Sequence, residues 1–264
     1  MVVYTYYNLK STWEGNLMKI LAIGNSFSED ATRYLHQIAQ ADNFDLKVVN
    51  LYIGGCSLET HFKNIKNDEK AYVYMLNGIA TEEMVSIKET LESDNWDFVT
   101  MQQASHFSWD YNTYQPYLNY LSEYVKQYAP QAEQIIHQTW AYEQGSERLT
   151  VELGYADQSE MFADIKMSYA KAAMVLGGLR IIPSGEAFQK AIQSGISKIH
   201  RDTFHASLGV GRYILGAVWY EVLTGNKIVN NNFNDFDEPI ESDLIIIAKK
   251  CVGNTVEEYK RGTL

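Results

Sequence analysis

The feature that most constrains the fold is a set of short apolar runs, separated by longer segments whose apolar residues have helical spacing. The runs are continuous and rich in β-branched residues, as is typical of strands buried on both faces of a parallel sheet. Strands that alternate with helices predict an α/β protein with a flavodoxin-like three-layer sandwich, in which helices cover a parallel sheet of about five strands. The runs span residues 19–23, 46–53, 96–102, 133–139 and 179–183.

Four segments have the 3.6-residue spacing of helices that pack one face on a sheet. We expect the first of them to begin at Ser28, whose hydroxyl would cap the helix N-terminus. A short hairpin followed by a helix is expected in residues 70–92, and surface insertions are expected in residues 140–158 and after Gly225. The four helical segments are residues 28–42, 114–129, 159–177 and 206–225.

The termini and the composition limit the class of protein. Residues 1–17 match neither a targeting segment nor a strand, so we expect an N-terminal extension before a single domain of residues 18–264, with Met18 as the native start. No apolar run is long enough for a signal peptide or a transmembrane helix. With Cys56 and Cys251 interpreted as reduced thiols, these features predict a cytoplasmic protein. A net charge of -11 argues against nucleic acid and anionic membranes as partners.

Small polar residues and glycines follow the predicted strands, at the edge where open α/β sheets bind ligands. Ser26 follows the first strand, Gly54 and Gly55 the second, and Gln102 and Gln103 the third. The first of these turns has a single glycine, no lysine and two acids, so it does not match a phosphate-binding loop. A hydroxyl, glycine N–H groups and side-chain amides are instead components of an acyl-transfer site.

A general base and an acid to orient it stand before the last long helix. His205 follows Asp202 by three residues, and this spacing can bring the carboxylate to Nδ1 of the ring. A histidine oriented in this way can take the proton of a serine hydroxyl. His61, Ser105 and His106 lie in loops near strand ends, where each either contacts a substrate or is only a polar loop residue.

Four blocks carry a resemblance to a known superfamily. GNSFS, GGCSL, QQASH and DTFH follow one another at the predicted strand ends and before the last long helix. They resemble the blocks of the SGNH/GDSL hydrolases, and in particular an uncharacterised bacterial subgroup. The resemblance implies a serine esterase with Ser26 as nucleophile, His205 as base and Asp202 as the partner of that base. It also implies oxyanion donors at the backbone N–H groups of Ser26 and Gly55, a small acyl ester such as an O-acetylated carbohydrate as substrate, and no metal or organic cofactor.

Two positions depart from the usual blocks of that superfamily. Asn25 stands where the first block usually has aspartate, and no Gly-x-Asn follows Met101. We expect the side-chain amide of Gln103, or alternatively of Gln102, to replace the missing asparagine, although both could be structural amides. The departure leaves open an alternative function: a non-catalytic carbohydrate- or ligand-binding domain that has lost a competent oxyanion hole. The sequence does not indicate an oligomeric state.

Overall fold

The computed structural model describes residues 17–262, in which helices cover both faces of a mixed sheet. Its strands are β1 (Met18–Gly24), β2 (Leu46–Tyr52), β3 (Tyr72–Leu76), β4 (Ile79–Val85), β5 (Phe98–Met101), β6 (Glu133–His137) and β7 (Arg180–Ile182). The helices are α1 (Ser26–Thr32), α2 (Leu35–Ala41), α3 (Leu58–Asn67), α4 (Ile87–Glu92), α5 (Tyr117–Tyr128), α6 (Gln158–Val175), α7 (Ser184–Gln193), α8 (Val210–Thr224) and α9 (Ser242–Arg261).

The sheet has seven strands in the order β4-β3-β2-β1-β5-β6-β7. Its parallel part, formed by β2, β1, β5, β6 and β7, confirms the predicted α/β sandwich. The strand count exceeds the predicted five because β3 and β4 form a hairpin that pairs antiparallel with β2. The structure confirms the expected hairpin in residues 70–92 and the helix that follows it, α4.

The first predicted helix is divided into α1 and α2, and it begins before Ser28. Asn25 is the N-cap, because its side chain accepts the backbone N–H of Phe27. The Ser28 hydroxyl accepts the backbone N–H of Asn25 at 3.0 Å, which completes a capping box. Ser28 as the N-cap is therefore wrong. The Ser28 Oγ also explains why position 24 is a glycine, since a Cβ at this position would lie 2.4 Å from that oxygen.

The two expected surface insertions are wrong, because both segments contribute to the core. In residues 140–158, the side chains of Trp140, Tyr142 and Leu149 are almost completely buried. After Gly225 the chain forms α9, which packs against α7 and α8. One face of α9 is strongly charged, and these charged residues made the apolar spacing of the other face difficult to recognise in the sequence.

Helix α8 is buried along nearly its whole length and packs against α1, α2, α7 and α9. It holds the short helix α1 against the carboxyl end of β1, which fixes the first residue of that helix, Ser26. None of the helices within residues 17–262 is both long and apolar enough to cross a membrane. The expected N-terminal extension lies outside these residues, except for Leu17.

Candidate active site

Ser26 lies at the carboxyl end of a central strand. β1 pairs with β2 on one side and with β5 on the other, so its end opens at the middle of the sheet edge. The chain turns at Asn25, and Ser26 is the first residue of α1. This strand-to-helix turn holds the Ser26 hydroxyl at the edge where ligands bind in open α/β sheets.

The structure brings Ser26, His205 and Asp202 together, and we refer to these three residues as the Ser–His–Asp cluster. Nε2 of His205 lies 2.8 Å from Oγ of Ser26, and Nδ1 lies 2.7 Å from Oδ2 of Asp202. Oδ1 of Asp202 also accepts the backbone N–H of His205 at 2.9 Å. The carboxylate therefore fixes both the ring and the backbone of the histidine, and it sets the tautomer in which Nε2 faces the serine.

The environment of Asp202 keeps this carboxyl group ionised. Burial acts to raise the pKa of Asp202, but hydrogen bonds from the His205 ring and backbone outweigh burial, and the pKa lies below its ordinary value. Asp202 is 46% exposed, whereas the His205 side chain is 17% exposed. The base is thus sheltered while the acid behind it faces solvent.

The loop that carries His205 is a tight turn closed at both ends. His200 and Ala206 form an antiparallel bridge, and the backbone N–H of Arg201 donates to the carbonyl of His205. At its tip, Thr203 has a φ of 74°, a left-handed conformation that is costly for a β-branched residue. The carbonyl of Thr203 accepts the backbone N–H of Glu143, which helps to hold this turn in place.

A buried carboxylate anchors the same loop to α1. Asp30 is completely buried, one turn after Ser26. Its two oxygens lie 2.8 and 2.9 Å from Nη1 of Arg201, and Oδ1 lies 2.8 Å from Nε of Arg212. It also accepts the backbone N–H of Ala206, the residue after His205. Asp30 therefore connects the helix that carries the serine to the loop that carries the histidine.

The Ser–His–Asp cluster opens into a cleft of about 260 Å³. Ser26 and His205 lie in its wall together with two loops, one after β2 and one after β5. The residues lining the cleft are Asn25, Ser26, Phe27, Tyr52, Gly54, Gly55, Ser105, His106, Arg148, Phe204 and His205. A cleft of this size is at the lower end for small-molecule sites, so it suits a small substrate.

Two backbone N–H groups of the cleft are available as donors. Gly55 is exposed with a φ of 63°, and this left-handed turn sends the chain across the end of β2. Neither its N–H nor that of Ser26 has an acceptor among residues 17–262. Both residues line the cleft. The resemblance to SGNH/GDSL hydrolases implied oxyanion donors at these two positions.

The amides after β5 face the protein interior. Oε1 of Gln103 accepts the backbone N–H groups of Leu58 and Ala104, and its Nε2 donates to the carbonyl of Thr113. Gln102 donates to Oδ1 of Asn25, and its Oε1 lies 2.6 Å from Nδ1 of His137. We refer to Gln102, Gln103 and His137 together as the amide network; Gln102 contacts His137, and Gln103 bonds separately to its own partners. These bonds argue against the oxyanion role expected for Gln103 and Gln102, because both amides are occupied and neither lines the cleft.

The three expected substrate contacts have different positions. Ser105 and His106 line the cleft, and Oγ of Ser105 lies 3.0 Å from the hydroxyl of Tyr142. His61 is instead completely buried, with Nδ1 2.9 Å from the hydroxyl of Tyr72. Burial lowers the pKa of His61 to about 3, and this position does not suit contact with a substrate.

Sequence reasoning missed Asp30, Arg201 and Arg148. Asp30 has the pattern of a first-turn acid, which the helix dipole alone would explain. Arg201 is adjacent to Asp202, but its partner is 171 residues away in the sequence. Arg148 lies in a segment interpreted as a surface insertion. In the described part of the chain, no three His, Cys, Asp or Glu side chains are grouped to hold a metal ion.

The fold of this protein is similar to that of solved structures described as SGNH and GDSL-type hydrolases. A candidate SGNH hydrolase from Slackia heliotrinireducens has a TM-score of 0.59 and 24% identity, covering 79% of this chain and 100% of that one. The acetylxylan esterase Axe2 from Geobacillus stearothermophilus has a TM-score of 0.54 and 15% identity, covering 81% of this chain and 97% of that one. At these identities the likeness extends to the fold alone.

The chain belongs to the family DUF4886, a domain of unknown function whose pattern matches residues 19–252. A DUF4886 family protein from Bacteroides uniformis is 34% identical, with a TM-score of 0.86, over 92% of this chain and 95% of that one. No curated protein matches the chain.

Proposed function

We propose that the protein is a serine esterase that hydrolyses a small acyl ester. The observation that carries the proposal is the continuous contact from Asp202 through His205 to Ser26, with distances of 2.7 and 2.8 Å. A serine hydroxyl is a poor nucleophile unless a base within hydrogen-bond distance takes its proton. Here the base, its orienting acid and an open cleft occur together, at the end of a central strand.

The reaction has two acyl-transfer steps. Oγ of Ser26 attacks the ester carbonyl while Nε2 of His205 takes the hydroxyl proton. The imidazolium then gives this proton to the leaving alcohol, and an acyl-serine remains. Water, deprotonated by His205, attacks the acyl-serine; the imidazolium returns this proton to Oγ of Ser26 as the acyl C–O bond breaks, and the acid is released. Asp202 stays ionised throughout and stabilises the imidazolium, in accord with its lowered pKa.

The developing oxyanion needs preorganised donors. We assign this role to the backbone N–H groups of Ser26 and Gly55, both of which line the cleft. One such donor contributes roughly 10²–10³ in rate in a serine hydrolase. The side chains of Gln102 and Gln103 have no part in this proposal, because their amide groups are already hydrogen-bonded within the protein interior.

The cleft supports a short acyl group as the part of the substrate nearest Ser26. An acetyl ester fits a volume of about 260 Å³ with room for part of the alcohol. An O-acetylated carbohydrate is the proposed natural substrate class, in line with the resemblance to SGNH hydrolases.

The amide network favours one alternative, a ligand-binding domain without catalysis. With Gln102 and Gln103 turned away, no side-chain amide replaces the asparagine that the superfamily uses as an oxyanion donor. Such a domain would bind its ligand in the same cleft but would not react with an ester.

Hydrolysis of p-nitrophenyl acetate, butyrate and octanoate tests the proposal. We expect the wild type to prefer acetate, and Ser26→Ala and His205→Ala to lose roughly 10³-fold or more in kcat/KM, because each removes a part of the nucleophile–base unit. The matched control is Ser194→Ala, an exposed serine at the end of α7, which should retain wild-type activity. Wild-type rates in Ser26→Ala would overturn the proposal, and an inactive wild type would favour the binding domain.

A further inference from the structure

Arg148 is an arginine at the cleft for which residues 17–262 provide no carboxylate partner. It lies on a single π-helical turn, Arg148–Glu152, and it lines the cleft together with Ser26. It forms no ion pair with any carboxylate of residues 17–262, Glu152 of its own turn included. Each of the other arginines forms one: Arg33, Arg180, Arg201, Arg212 and Arg261. Since the chain has 33 acids, the unpaired arginine at the cleft does not reflect a shortage of carboxylates.

Aromatic side chains hold the guanidinium in place. Its central carbon lies 4.0 Å from the centre of the Phe204 ring, a cation–π contact. The Phe204 ring in turn lies 3.9 Å from the ring of His205. The charge is therefore fixed beside the residue next to the proposed base, and a ligand that binds it would not have to order a free arginine side chain.

None of the residues that line the cleft is an acid, so no carboxylate of the cleft wall compensates the charge of Arg148. Burial, and to a smaller extent the charge of Arg148, lowers the pKa of His106, so this ring is neutral at pH 7 and can donate a hydrogen bond. Burial raises the pKa of the Tyr142 hydroxyl, which is therefore neutral, and the smaller effect of Arg148 is to lower this pKa. Glu29, the acid nearest in sequence to Ser26, is not part of the cleft wall.

We propose that the cleft accepts an ester that carries a second, ionised carboxylate, and that Arg148 binds this carboxylate while Ser26 attacks the ester carbonyl. The inference rests on the proposed esterase function and names its substrate class. A planar guanidinium matches a carboxylate with two parallel hydrogen bonds, which an ammonium group cannot form. The carboxylate belongs either to the acyl chain, as in a hemiester of a dicarboxylic acid, or to the alcohol, as in an O-acetylated uronic acid.

Two pairs of esters distinguish these sources. For the acyl side, the pair is mono-p-nitrophenyl glutarate and p-nitrophenyl valerate, which have acyl chains of equal carbon number. For the alcohol side, the pair is 4-acetoxybenzoate and 4-acetoxybenzamide. We expect the wild type to have at least a tenfold higher kcat/KM for the charged member of one pair, and the pair identifies the source.

Variants of Arg148 show whether the guanidinium causes this preference. Arg148→Gln should lower kcat/KM at least tenfold for the charged ester and less than threefold for the neutral one, and Arg148→Lys should retain part of the preference. The control is Arg261→Gln on the last turn of α9, where the side chain is 72% exposed. It should leave both rates unchanged. Equal rates within both pairs, or equal losses for charged and neutral esters in Arg148→Gln, would overturn the proposal.

A binding measurement separates this proposal from the esterase function. Glutarate or benzoate titrated into the protein by calorimetry should bind the wild type at least tenfold more tightly than Arg148→Gln, whether or not any ester is hydrolysed. Binding of a carboxylate without hydrolysis of any ester would contradict the esterase function and support the carboxylate site. Hydrolysis of neutral esters without binding of either carboxylate would contradict the carboxylate site and support the esterase function.

Discussion

Ser26, which follows β1, faces the cleft, whereas Gln102 and Gln103, which directly follow the neighbouring strand β5, face the interior. After β1, Ser26 contacts His205 and an open volume. After β5, Gln102 and Gln103 are 2% and 1% exposed, and their amides bond to partners in four other parts of the chain. A polar residue at a strand end is therefore a candidate for function when its side chain is open to a cleft, and not when buried structural partners occupy its hydrogen-bonding groups.

The two groups also differ in how they are held. The Ser–His–Asp cluster is fixed by charge, because the buried carboxylate of Asp30 binds two arginines and the loop after His205. The amide network is neutral and is fixed by hydrogen bonds: Gln102 bonds to Asn25 and His137, and Gln103 bonds to Leu58 and Thr113. Removing a buried charge leaves its partners uncompensated, and this costs more than loss of a neutral hydrogen bond. Variants in the two regions should therefore have effects of different size and kind.

The largest effect is expected from Asp30→Asn. The change leaves Arg201 and Arg212 without their buried counter-charge, so we expect the free energy of unfolding to fall by roughly 3–5 kcal/mol. Because the His205 loop loses its anchor, kcat/KM for p-nitrophenyl acetate should fall about 100-fold or more, even well below the melting temperature. Urea unfolding and initial rates measure the two quantities.

Asp237→Asn is the control for this prediction. Asp237 binds Arg33 and Arg212 but is 25% exposed and does not contact the His205 loop. A partly exposed pair of this kind contributes about 1 kcal/mol or less, so the loss of stability should be small and the rate should be retained. Equal losses in the two variants would contradict the anchoring role of Asp30.

A smaller effect, on stability alone, is expected from Gln103→Ala. The backbone N–H groups of Leu58 and Ala104 lose their acceptor, which costs roughly 1–3 kcal/mol when the groups are buried. The rate of ester hydrolysis at a permissive temperature should fall less than about tenfold, since an oxyanion donor would account for roughly 10²–10³. Exposed Gln127→Ala on α5 is the control for stability. A hundredfold loss of kcat without loss of stability would contradict this structural role and support Gln103 as an oxyanion donor.

The last prediction concerns the pH dependence of stability, where the effect per pH unit is small. Burial lowers the pKa of His137 from 6.5 to about 3, so the folded protein keeps this ring neutral. In the unfolded chain His137 binds a proton below about pH 6.5, whereas in the folded protein it does not. The stability that the neutral ring contributes is therefore lost progressively as the pH falls from 6.5 toward 3. Each such histidine makes the free energy of unfolding fall by about 1.4 kcal/mol per pH unit in this window.

His137→Gln should flatten the dependence by that amount between pH 6 and 5. His61→Gln, outside the amide network, should flatten it equally, because the pKa of His61 is also lowered to about 3. Chemical unfolding at several pH values measures both slopes. An unchanged slope in His137→Gln would mean that this ring is protonated in the folded protein.

The sequence predicted the part of the site that depends on local spacing. Ser26 follows an apolar strand directly, and the three-residue separation of Asp202 and His205 is enough for their contact. The sheet was predicted for the same reason, because continuous apolar runs are local features. No local pattern predicts the contact of Ser26 with His205, which are 179 positions apart; it was expected only from the resemblance to the SGNH/GDSL hydrolases, and the structure places the two side chains 2.8 Å apart.

The parts that were missed depend on distant partners. Whether Gln103 faces the cleft is decided by Leu58 and Thr113, which no local pattern connects to it. Likewise, Asp30 has the appearance of a helix-opening acid until Arg201 and Arg212 are placed against it. The role of a charged or amide side chain near a candidate site is therefore determined by the distant residues that the fold places against it.

Covalent labelling with a fluorophosphonate, located by peptide mass spectrometry, tests the central claim most directly. The reagent reacts with a serine activated by a base, and it does not require that the natural substrate be known. We expect one adduct, on Ser26, that is absent in Ser26→Ala and greatly slowed in His205→Ala. An unlabelled wild type, or an adduct on any other serine, would contradict the assignment of Ser26 as an activated nucleophile.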